Sequence, residues 1–120
     1  LFYTPTVLTN IPADQAITCT EIFGPVIVLY PFDDEAEAIR LANDTEFGLV
    51  GYAYTTDLGQ AFRVSEAMEV GMAVINTGSV GMASVPFGGV KQSGYGREGS
   101  HYAVDEYMNI KYVMMGGLNT

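Results

Sequence analysis

Basic residues are scarce in this sequence. Five Lys and Arg stand against fourteen Asp and Glu, a formal charge of −9. Such a surface repels a phosphate backbone, so nucleic acid is not an expected partner. The acids read as a solvated face. Histidine is nearly missing: His101 is the only one, which excludes a His-cluster metal site within these residues, and no metal is expected. Cysteine is equally rare. Cys19 alone cannot close an internal disulfide, and a reducing, cytoplasmic setting is the expectation. No run of 18 uncharged apolar residues occurs, so no membrane-spanning helix is expected. Nor does the start, LFYTPTVLTN, read as a secretory leader, because it lacks a basic stretch and contains a proline.

What is present is apolar. Hydrophobic residues make up 48% of the 120 and charged ones 16%, a balance that reads as one packed domain rather than a disordered chain. Three short runs, VIVLY at 26–30, LVGYAY at 49–54 and MAVIN at 72–76, are β-branched or aromatic and nearly free of charge. Strands buried on both faces look like this. Two helical patterns separate them. In DEAEAIRLAN, 34–43, Asp34 is placed to cap, Glu37 to complete a capping box, and Ala36, Ile39 and Ala42 form one stripe. In DLGQAFRVSEAMEV, 57–70, Asp57 caps, Leu58, Ala61, Phe62 and Met68 share a face, and Gly71 supplies a left-handed stop. The resulting order is β-α-β-α-β, an α/β parallel open sheet with right-handed crossovers.

Residues 77–99 carry seven of the fourteen glycines and no periodicity, which predicts a long ordered loop. A short helix at about 100–107 follows, capped by Ser100. The tail NIKYVMM, 109–115, reads as a last strand, at an edge or given to a partner. The head FYTPTVLTNIP reads as a further strand.

Within the loop, GYGREG at 94–99 fits G-x-G-x-x-G. A dinucleotide loop needs a buried strand before it and an acidic residue about 20 positions after it. Here PFGGVKQS precedes and the chain nearly ends, so the motif reads as a tight glycine turn instead.

The stretches YTPTVL, EIFGPV, EAIRLAN, FGLVGYAYT, GMAVIN, PFGGVKQSGYGREGS and DEYMNIKY occur in that order. Together they resemble the C-terminal part of the NAD(P)-dependent aldehyde dehydrogenases, from Phe2 to about Val113, with GREGSHYAVDEYMNIKY most like the succinate-semialdehyde dehydrogenase branch. The resemblance implies a portion of that family's catalytic domain over about 1–107 and an oligomerisation strand over about 108–116. It implies oxidation of a small-molecule aldehyde to a carboxylate with NAD or NADP, in a homo-oligomer. It places Glu21 and Phe23 at the cofactor. A carboxylate can accept from both hydroxyls of a ribose, a flat ring can pack on a nicotinamide, and residues two apart on extended backbone face one side. Glu21 precedes its strand, whereas open sheets usually bind ligands beyond strand ends such as Phe32, Thr55 and Asn76. Asn76 leads into the loop that the resemblance assigns to the aldehyde tunnel, and Phe87 is the matching wall residue. Glu98 matches a glutamate linked to proton relay in some relatives; beside Arg97, a local ion pair is the plainer role.

Cys19 is a poor nucleophile candidate, since Glu21 two residues on opposes a thiolate. The family's nucleophile follows a Gly-Gln pair, and the only such pair, Gly59-Gln60, runs into Ala61-Phe62. Neither the nucleophilic cysteine nor the general-base glutamate is found, so the sequence reads as a C-terminal fragment, inactive by itself. One departure stands out: Gly81-Met82 replace serines that help hold a substrate carboxylate in that branch. The alternatives are a non-catalytic binding or assembly module that keeps the fold and, more remotely, a flavodoxin-like nucleotide binder.

Overall fold

In the computed structural model, which describes residues 2–12 and 14–118, both helix caps fall where the sequence predicts them. Helix α1 (Glu35–Asn43) starts at Asp34, whose carboxylate accepts from the Glu37 amide at 2.8 Å. Glu37 reaches back to the Asp33 amide at 2.9 Å, one residue beyond the usual capping box. Helix α2 (Leu58–Ala67) starts at Asp57, which accepts from the Gln60 amide at 2.7 Å. Each carboxylate satisfies an amide that the first helical turn leaves without a partner.

Helix α2 stops earlier than predicted. Met68, already extended, ends it, and Gly71 does not adopt a left-handed conformation. Gly71 has a different reason to be glycine. A Cβ there would stand 1.9 Å from the Gly88 carbonyl oxygen, so the chain passes too close for any side chain.

Among the described residues six short strands form: β1 (Thr6–Thr9), β2 (Val26–Leu29), β3 (Phe47–Gly48), β4 (Val50–Ala53), β5 (Met72–Ile75) and β6 (Val90–Lys91). They make three two-stranded sheets. The β4-α2-β5 unit is the predicted parallel crossover, in register from Val50 opposite Met72 to Ala53 opposite Ile75. The first half of the predicted sheet is corrected. β2 does not join β4; it pairs in parallel with β1, Thr6 opposite Val26. An apolar run shows that a strand wants a neighbour, not which neighbour it takes. β3 and β6 pair antiparallel and anchor the glycine-rich loop.

The expected double-sided burial is also corrected. β2 alternates half-buried and exposed positions, and no apolar side chain among the described residues is fully buried. The radius of gyration is 20.6 Å, against about 14 Å for a compact chain of this length. The exposed area is 9855 Å², where a compact monomer of this mass exposes roughly 6300 Å². The apolar faces exist, but this chain does not cover them.

In the loop, Gly94, Gly96 and Gly99 all have positive φ, as a tight glycine turn requires. The helix after it, α3 (Tyr102–Asp105), is shorter than predicted and too short to present a dinucleotide-binding end. Ser100 accepts from the Tyr102 amide at 3.3 Å, close to its expected capping role, though His101 occupies the cap position. Among the described residues, 109–115 pair with no other strand, and Ile110 and Tyr112 lie open to solvent. An edge within the chain's own sheets is not where the tail goes, and a strand given to a partner would show no ladder here. No helix among the described residues is long and apolar enough to cross a membrane.

Candidate functional site

Glu21 and Phe23 lie between a short 3-10 turn (Ala16–Thr18) and β2. Both are exposed, Phe23 to 92%. Glu21 lines a cleft of about 660 Å³ with Cys19, Tyr52, Met68 and Gln92; Phe23 stands outside it. The structure leaves the acid and the ring open but carries only the acid into a cleft.

Asn76 is held by backbone. It ends β5 in a left-handed conformation, with φ 59°. Its side-chain oxygen accepts from the Thr55 amide at 2.8 Å, and its Nδ2 donates to the Thr55 carbonyl at 2.7 Å. The side chain thus imitates a strand partner and extends the β4–β5 pairing by one residue. It borders a groove with Thr55, Leu58 and Phe62 that shares no lining residue with Glu21's cleft.

Phe87 and Glu98 are brought together. Their amides and carbonyls exchange bonds of 2.8 and 2.7 Å. Both line a cleft of about 300 Å³ with Leu49, Tyr95 and Tyr107. The expected Arg97–Glu98 ion pair does not form. Arg97 instead donates to the carbonyls of Gly89 and Gly96, because the turn points its guanidinium back across the loop. Phe87 and Asn76, both matched to one tunnel, line separate clefts here.

Cys19 is exposed, and its Sγ lies 3.4 Å from the Thr18 hydroxyl, which is not a base. Gln60 of the Gly-Gln pair is inside α2. Among the described residues no three His, Cys, Asp or Glu converge as a metal site.

The clearest charge coupling joins the helices. Arg63 grips Glu35 side-on, its Nε donating to Oε1 at 2.8 Å and its Nη2 to Oε2 at 2.9 Å. The hydrogen bond from Arg63 holds the Glu35 carboxyl below its ordinary value of 4.5, and the bond to Glu35 raises the Arg63 pKa in turn.

Sequence reasoning missed one knot. Asn43, at the end of α1, donates to the Ala67 carbonyl and accepts from the Glu69 amide, both at 2.9 Å. Lys91 Nζ donates to the carbonyls of Asn43 and Thr45 and pairs with Glu69. Together they tie the ends of both helices to the loop. A lysine inside a glycine-rich stretch and an asparagine closing a helix were the available signals.

Comparison with known proteins places this geometry. The aldehyde dehydrogenase family profile matches residues 1–113. The NADP(+) succinate-semialdehyde dehydrogenase of Escherichia coli K12 is 50% identical over 115 residues, 96% of this chain and 24% of that protein. The crystal structure of succinate-semialdehyde dehydrogenase from Burkholderia pseudomallei superposes with a TM-score of 0.87 at 54% identity, covering 93% of this chain and 23% of that one. Betaine aldehyde dehydrogenase of Staphylococcus aureus in complex with NAD+ superposes with a TM-score of 0.85 at 43% identity, over 89% of this chain and 21% of that one. The chain therefore spans about a quarter of the length of the relatives it matches. With the profile covering nearly all of its residues, the chain belongs to the aldehyde dehydrogenase family.

Proposed function

We propose that these residues are the part of an NAD(P)-dependent aldehyde dehydrogenase that closes the cofactor and aldehyde sites, with succinate semialdehyde, for which several of its relatives are named, as the substrate. The observation that carries this is the half-identical match running through both EIFGPV and PFGGVKQSGYGREG. A carboxylate and an aromatic ring, two residues apart and both open to solvent, fit a nicotinamide nucleotide. Glu21 would accept from the ribose hydroxyls and Phe23 would pack on the flat ring. The bound cofactor supplies the two-electron acceptor. Phe87 forms a wall of the aldehyde passage, and Glu98, joined to it by backbone bonds, is the candidate proton relay. The work proceeds in a reducing, cytoplasmic setting, within a homo-oligomer whose subunits are joined through residues 108–116.

Alone, this chain turns over no aldehyde: Cys19 Sγ meets the Thr18 hydroxyl, and the one carboxylate lining its cleft, Glu21, disfavours a thiolate, so no acyl intermediate forms. A chimera tests the reading: residues 1–113 replace the corresponding segment of the E. coli enzyme. It should oxidise succinate semialdehyde with NADP+. Glu21→Gln should raise the cofactor KM about tenfold and leave the aldehyde KM within about twofold, as expected for a lost binding contact. A folded chimera without activity overturns the proposal. So does turnover by the 120 residues alone that disappears with Cys19→Ala.

A further inference from the structure

Arg97 holds two carbonyls with one nitrogen. Its Nη1 donates to Gly89 at 2.8 Å and to Gly96 at 2.6 Å. The acceptors sit on opposite arms of the glycine-rich loop. The arms also meet where Phe87 and Glu98 exchange backbone bonds. The guanidinium is half-buried, and among the described residues it forms no ion pair. A half-buried cation whose hydrogen bonds go to two loop carbonyls, although the Glu98 and Glu106 carboxylates line the same cleft, serves geometry rather than solubility. Phe87 lies at the neck this clamp closes, and its ring shares a cleft with Arg97, Glu98 and Tyr107.

From this geometry we infer that Arg97 is a positioning residue for the aldehyde: it fixes the spacing of the two arms and so aims Phe87 at the substrate. The inference rests on Phe87 being a wall of the aldehyde passage. With the clamp gone, the arms part, the ring samples more directions, and the aldehyde binds in poses that do not react.

The chimeric enzyme supplies the test. Arg97→Gln is too short to reach both carbonyls and should raise the aldehyde KM about tenfold, with the cofactor KM within about twofold. Arg97→Lys keeps a cation with several donors and should restore the aldehyde KM to within about threefold. The double variant Phe87→Ala with Arg97→Gln should be no worse in aldehyde KM than Phe87→Ala alone, since both act through one ring. Amide hydrogen exchange gives a readout free of turnover: Arg97→Gln should speed exchange at Phe87 and Glu98 about tenfold while α1 and α2 are unmoved. Three results overturn the inference: an unchanged aldehyde KM in Arg97→Gln beside a lowered Tm, full additivity in the double variant, or unchanged exchange at the two amides. Inactivity of the chimera with Arg97 intact overturns the functional reading instead, and the exchange experiment still decides the clamp.

Discussion

Residues 34–76 and residues 109–118 are both rich in apolar side chains, and they behave in opposite ways. The first stretch answers its own polar groups. Its helices are capped from within, its β4-α2-β5 crossover pairs its own strands, and Asn76 finishes the pairing with a side chain. The second stretch has no helix or strand of its own, and its apolar side chains face solvent. The difference is not one of hydrophobicity. It is whether the backbone finds partners nearby in sequence or must wait for them.

The hardest blow to the self-contained region is Gly71→Ala. With 1.9 Å to the Gly88 carbonyl, two chain segments have to separate. A loss of about 3 kcal/mol is expected, at the upper end of overpacking costs, read as a large drop in the Tm of the chimera. The tail should answer to charge instead. On the proposed assembly through residues 108–116, Ile110→Asp should lower the mass seen in light scattering while leaving the exchange protection of α1 and α2 intact. Loss of both together would erase the distinction between the regions.

Smaller changes sharpen it. Asn76→Asp removes the donor to the Thr55 carbonyl and sets a carboxylate against it, at a cost of about 2 kcal/mol, where Ser84→Asp in the exposed loop should cost almost nothing. Asp34→Ala and Asp57→Ala should each cost about 1 kcal/mol by thermal unfolding. The smallest effect depends on pH. The Glu35 pKa is depressed in the folded chain, so its contribution is present above the ordinary value of 4.5 and fades as pH falls through the folded value. Arg63 is raised, so its share persists at every pH below its ordinary value and is lost only in strong alkali. Glu35→Gln should therefore lower stability slightly near neutrality, match the parent once pH has fallen below the folded value, and so flatten the stability profile in between.

Local chemistry was the legible part. Asp34 and Asp57 announce their helices because a short carboxylate before an apolar stripe has one obvious use. Partner choice was not legible: VIVLY shows a strand but not that Thr6–Thr9 would lie beside it. Gly71 misled because a left-handed stop and a forbidden Cβ both call for glycine, and only neighbours distant in sequence tell them apart. Arg97 beside Glu98 suggested an ion pair, yet the turn aims the guanidinium at carbonyls 8 and 1 residues away. At the candidate site, motifs named Glu21, Phe23, Asn76, Phe87 and Glu98, and only the Phe87–Glu98 pair meets within this chain.

Met114 and Met115 stand 80% and 73% exposed on the tail. A thioether open to water is open to peroxide as well, and a sulfoxide puts a dipole where an apolar contact belongs. If subunits do join through residues 108–116 as proposed, a sulfoxide there would weaken that joint before it touched the chemistry.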